Sequence, residues 1–128
     1  MRKNNYIALA KKASSIQINE LKKIKKVFNH SFVKAVDLIL NCRGKIIFAG
    51  VGKSGLIAKK ISATFSSVGI PSFFCDPAQA LHGDMGQIEK KDILIIFSYS
   101  GNTSELNNML KYANRFRIKV IGVASKPD

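Results

Sequence analysis

Lys45-Ile46-Ile47-Phe48-Ala49-Gly50-Val51-Gly52-Lys53-Ser54-Gly55 decides the fold. Its first half is a short, almost continuous apolar run rich in branched residues, the signature of a strand buried on both faces. Its second half is a glycine turn, followed by a helical period that runs to about Val68 and is closed by Gly69. Two more strands follow, at Pro71–Cys75 and Ile93–Phe97, then a helix from about Thr103 to Phe116 and a fourth strand at Lys119–Ala124. Upstream, apolar residues from Tyr6 to about Phe28 recur at a helical period. A second helical run covers Phe32–Leu40 and stops at Arg43-Gly44, where the glycine is expected in the left-handed conformation. His30 reads as a loop residue between these two helices, and Phe73 and Phe74 as core. The order α-α-β-α-β-(short segment)-β-α-β predicts a three-layer α/β domain, in which crossover helices cover both faces of a parallel sheet. Ser125-Lys126-Pro127-Asp128 reads as the loop leaving the last strand.

At 128 residues there is room for one core, and 46% apolar with 23% charged residues is ordinary globular usage. The two cysteines, Cys42 and Cys75, lie too far apart for a zinc knuckle and are too few for a disulfide framework, so a reduced, cytoplasmic setting is expected. No apolar run reaches membrane-spanning length, and the Lys-rich start is unlike a secretory signal, which predicts a soluble protein with no membrane partner. The net charge is +13, with 21 basic and 8 acidic residues. Residues 1–45 carry +9 of it, and only four of the basic residues are Arg, so nucleic acid is not the expected partner.

Two loops carry the candidate chemistry. Gly50, Gly52 and Gly55 fit G-x-G-x-x-G between a strand and a helix, with Asp76 at the end of the next strand, which keeps a nicotinamide-binding Rossmann domain as an alternative. A P-loop is excluded because Ile47 stands where its first glycine is required. The second loop, Ser98-Tyr99-Ser100-Gly101-Asn102-Thr103, opens a helix with three hydroxyls around a glycine. Such a loop can turn hydroxyls and N–H groups toward an anion at the positive end of the helix.

Gly50–Gly55, Pro71–Phe74, His82-Gly83-Asp84-Met85-Gly86 and Ser98–Glu105, in that order and spacing, resemble the sugar isomerase (SIS) domain of arabinose-5-phosphate isomerases. The resemblance implies an α/β/α SIS domain that interconverts D-arabinose 5-phosphate and D-ribulose 5-phosphate, on the way to the lipopolysaccharide sugar Kdo. It implies Ser54, Ser98, Ser100 and Thr103 as phosphate-binding hydroxyls, and Lys53, His82 and Glu105 as polar site positions. Enediol chemistry then suggests Glu105 as the base, Lys53 as the cation beside the carbonyl oxygen or phosphate, and His82 as a proton shuttle. A metal on His82 is a weaker option, since no Cys or His stands at ligand spacing, and no cofactor is expected. Residues 1–43 are expected to be N-terminal helices packing on the domain, and 44–128 the SIS core, which reads as cut short at its C-terminal end. The family continues past the position of Asp128 with helices that carry a further carboxylate and a histidine, and then with CBS domains. A non-catalytic sugar-phosphate-binding SIS module is therefore the second reading. The apolar stripe of the first helix and an uncovered last strand predict a homodimer or homotetramer.

Overall fold

A computed structural model of the chain describes residues 4–125, so Lys126-Pro127-Asp128 lies outside the described residues. Two compact units divide the chain, Met1–Val36 and Asp37–Asp128.

In the first unit, helix α1 (Asn4–Lys23) runs into a 3-10 turn at Ile24–Val27, short of the continuous helix to Phe28 that the apolar period suggests. Helix α2 (His30–Leu40), whose last four residues belong to the second unit, starts earlier than expected, and His30 is its first residue rather than part of a loop. The reason is a cap: the Asn29 side-chain oxygen accepts from the N–H groups of Ser31 (2.9 Å) and Phe32 (3.3 Å). Just before the helix, Phe28 meets Phe32 edge-on, with ring centroids 5.0 Å apart.

The second unit is a four-stranded parallel sheet in the order β2-β1-β3-β4, formed by β1 (Ile46–Gly50), β2 (Ser72–Phe74), β3 (Ile93–Ser98) and β4 (Lys119–Ala124). Successive side chains of a strand point to opposite faces, so each apolar run feeds two cores. Ile46, Phe48, Ile93 and Ile95 pack with Ala58, Ile61 and Phe65 of α3 (Gly52–Ser67) and with Leu38 and Ile39 at the end of α2. Ile47, Ala49, Leu94 and Ile96 pack on the other face with Leu106, Met109 and Ala113 of α5 (Ser104–Arg115), and with Ala80 of the one-turn helix α4 (Pro77–Ala80). This is the expected three-layer arrangement. Phe73 and Phe74 pack partly buried against the two cores.

Gly44 does not take the left-handed conformation expected of it. It is needed for space, since a Cβ there would overlap the Asp92 carboxylate and come within 2.8 Å of the Lys91 carbonyl. Asp92 is fully buried, and its two oxygens accept from Lys45 N–H and Glu89 N–H at 2.8 Å each. Lys45 Nζ adds an ion pair to Asp92 at 3.4 Å and another to Glu89 at 3.4 Å. Burial works against the charge on Lys45, but the two carboxylates outweigh it and raise its pKa.

Candidate functional site

From β1 the chain crosses through α3 to β2 on one side, and from β3 it crosses through α5 to β4 on the other. The two connections lie on opposite faces of the sheet, so the loops leaving neighbouring β1 and β3 diverge. Their strands align up to Gly50 opposite Phe97. A crevice outside the carboxyl ends of strands at such a reversal is where open α/β sheets take ligands.

The first loop is determined by backbone. A Cβ on Gly55 would lie 2.5 Å from the Gly50 carbonyl oxygen, and one on Gly50 would lie 2.9 Å from the Gly55 nitrogen, so strand end and helix start touch through their glycines. Gly52 has φ +60 with open space around it, and serves the turn. The G-x-G-x-x-G pattern is thereby accounted for by chain geometry. Asp76, the acid of the Rossmann alternative, uses its Oδ1 to accept from Ala78 N–H (2.8 Å) as the cap of α4.

The second loop is stitched by side chains. Buried Ser98 accepts from Gly101 N–H (3.0 Å), and its hydroxyl meets that of Thr103 at 3.2 Å. Gly101 takes φ +75 to close this turn. Thr103 occupies the N-cap position of α5, yet its hydroxyl makes no capping hydrogen bond. Ser100 is exposed, and its hydroxyl contacts the Asn102 backbone. Glu105, half-buried in the first turn of α5, accepts from Ser104 Oγ at 3.0 Å.

These residues do not all line one cavity. A cleft of about 300 Å³ is lined by Gly50, Gly52, Gly55, Lys59, Asp76 and Glu105, among others. A second, shallower cleft of about 170 Å³ holds Ser54 and Ser98 together with Tyr99 and Ser125. The first turns of α3 stand between them, sending Gly55 and Lys59 one way and Ser54 and Ile57 the other. Lys53 is exposed at the start of α3 and lines neither cleft. His82 is likewise exposed, beside Gly83 at φ +119. Among the described residues no group of three or more His, Cys, Asp or Glu side chains could hold a metal. No described helix is long and apolar enough to cross a membrane.

Lys59 was not legible as a site residue, although its place four positions after Gly55 puts it on the same helix face. Cys75, buried at the end of β2, has its thiol pushed up to about 11 by burial, with the nearby Asp84 and Asp76 carboxylates adding to the effect.

Residues 39–128 match the SIS domain family, and the chain belongs to it. Within that family it is similar to proteins named for one sugar. A Haemophilus influenzae protein named "probable arabinose 5-phosphate isomerase" is 41% identical over 127 residues, which cover 99% of this chain and 38% of that protein. The arabinose 5-phosphate isomerase GutQ of Escherichia coli K12 is 40% identical over 112 residues, covering 88% of this chain and 35% of its own length. The chain thus spans little more than a third of these relatives. Among solved structures, an Escherichia coli CFT073 protein in complex with arabinose 5-phosphate superposes with a TM-score of 0.84 at 36% identity, covering 98% of this chain and 67% of its own.

Proposed function

We propose that this chain is the sugar-phosphate domain of an arabinose-5-phosphate isomerase, interconverting D-arabinose 5-phosphate and D-ribulose 5-phosphate for Kdo and lipopolysaccharide synthesis. In this reading it works in the cytoplasm, as a homodimer or homotetramer. The observation that carries the reading is the hydroxyl loop. At a helix N-cap, Thr103 turns its hydroxyl to Ser98 instead of capping the helix, which suits a loop built around a phosphate at the positive end of α5. The 40% identity to a protein named arabinose 5-phosphate isomerase supports this choice of sugar.

Isomerisation moves the C2 proton of the open aldose to C1 of the ketose through a cis-enediol. Glu105, which helps line the glycine-lined cleft, is the proposed base for that proton. Ser54, Ser98, Ser100 and Thr103 hold the phosphate. Lys53, on a four-carbon stem at the start of α3, supplies positive charge to the developing enediolate, and His82 moves protons during ring opening. Lys53 and His82 stand outside the Glu105 cleft, and this separation favours a second reading, a module that binds sugar phosphate without turning it over.

Thermal unfolding with arabinose 5-phosphate and with free arabinose, beside an assay for ribulose 5-phosphate, tests both. A ligand that binds the folded state raises the transition. Stabilisation by the phosphorylated sugar alone, with product formed, is the expected result. Stabilisation without product selects the binding module, and equal stabilisation by free arabinose removes the hydroxyl loop as a phosphate site.

A further inference from the structure

At the opposite end of the sheet, where β3 and β4 begin, a cleft of about 350 Å³ is lined by Arg43, Lys90, Lys91, Asp92 and Lys119 along with Asn41 and Cys42. Its ionisable lining carries four cations and one carboxylate. That carboxylate, Asp92, is already committed to Lys45 and to two backbone N–H groups. Lys91 is paired with Glu89 at 3.2 Å. Arg43, Lys90 and Lys119 form no ion pair or side-chain hydrogen bond among the described residues.

These three cations come from separate segments: the turn after α2, the turn before β3 and the first residue of β4. Lys90 sits in a turn closed by the Asp92 N–H donating to the Glu89 carbonyl at 2.9 Å. Gly44, next to Arg43, is wedged against Asp92 and Lys91, and Lys119 is fixed in register opposite Ile93. Like charges brought together on a rigid frame repel, and no internal carboxylate relieves Arg43, Lys90 or Lys119. The space has the size of a small-molecule site. A guanidinium fork beside ammonium groups matches phosphate oxygens.

We propose that this cleft binds a small anion bearing at least two phosphate charges, at a site separate from the loops that leave β1 and β3. The proposal is independent of the isomerase reading. It makes the basic excess of this face a recognition surface rather than a solvated one.

Calorimetric titration of the full chain at fixed ionic strength, with inorganic tripolyphosphate and then inorganic phosphate as probes, tests it. Four proteins are compared: wild type, Arg43→Gln/Lys119→Gln, Lys22→Gln/Lys25→Gln with the same loss of charge elsewhere, and Ser98→Ala. The expected result is saturable binding of tripolyphosphate, tighter than that of phosphate. It should weaken by about tenfold or more in Arg43→Gln/Lys119→Gln and persist in the other two variants. Equal weakening in both charge-deleted pairs would reduce the effect to the general field of a +13 chain. Loss in Ser98→Ala would move the binding to the hydroxyl loop. Either result, or no saturable binding, overturns the proposal.

Discussion

The loops after β1 and β3 leave adjacent strands in the same direction, and each opens a helix, yet they are built by different means. The glycine loop is held by backbone contact, Gly50 against Gly55, and its three glycines are spent on closeness and on one left-handed turn. The hydroxyl loop is held by side chains, with Ser98 bonded both to Gly101 N–H and to the Thr103 hydroxyl. A glycine motif can therefore be satisfied by the fold alone, whereas the hydroxyl loop, with its N-cap hydroxyl diverted from capping, is where the proposed function places the phosphate. Substitutions should separate the two, with fold lost at one loop and function at the other.

The largest effect is expected at Glu105, on the helix that the hydroxyl loop opens. On the proposed isomerase reading, Glu105→Gln should lower the rate of ribulose 5-phosphate formation by about 10²–10⁴-fold with little change in KM, the pattern of a group acting in the transition state. A variant with unchanged turnover would strip the hydroxyl side of its chemistry. Next comes a crossed pair. Gly55→Ala should destabilise folding by about 1–3 kcal/mol, because the new methyl meets a carbonyl with no room to retreat. Ser98→Ala should cost about 1 kcal/mol of stability but about 1.5–3 kcal/mol of sugar-phosphate binding. Denaturant melts set beside ligand titrations would show whether the two losses cross as stated. Gly52→Ala meets no atom, so only the strain of φ +60 is felt, about 1–2 kcal/mol in the same melts.

The smallest effect concerns Cys75, beside the glycine-lined cleft. Its thiol titrates near 11 when folded, against an ordinary 9.0, so the folded state holds this proton more tightly than the unfolded one. The resulting stabilisation is complete below pH 9 and is lost as pH rises from 9 to 11. Stability measured across that window should fall more steeply in wild type than in Cys75→Ala, and parallel curves would contradict the assignment.

Element order and the parallel sheet were legible because continuous apolar runs alternate with helical periods, and that pattern depends only on neighbours in sequence. The start of α2 does carry a local signal, since Asn29 two residues before Ser31 is a capping arrangement, but it is weaker than the apolar period that begins at Phe32. The reason for Gly44 is not visible locally, because its constraint, Asp92, lies 48 residues further along the chain. For the candidate site, the sequence placed Gly50, Gly52, Gly55, Ser54, Ser98, Ser100, Thr103 and Glu105 on two loops that the sheet brings side by side. It could not show that Gly50, Gly52, Gly55 and Glu105 line one cleft and Ser54 and Ser98 another, while Ser100 and Thr103 line neither. That partition depends on which way each residue of a helix faces once the helix has docked, as does the presence of Lys59 beside Glu105.

Asp92 has a reach longer than its contacts. By receiving Lys45 N–H beside the first rung of the β1–β3 ladder, while Ile93 N–H donates to the Lys45 carbonyl at 3.0 Å, it acts as a stop against which the two strands are indexed. A slip by one residue would exchange the two core faces and slide one loop past the other by about 3.3 Å. The vertical alignment of Gly50 with Phe97, and so the spacing of the two loops above them, is set at the far end of the sheet by a buried carboxylate remote from both loops.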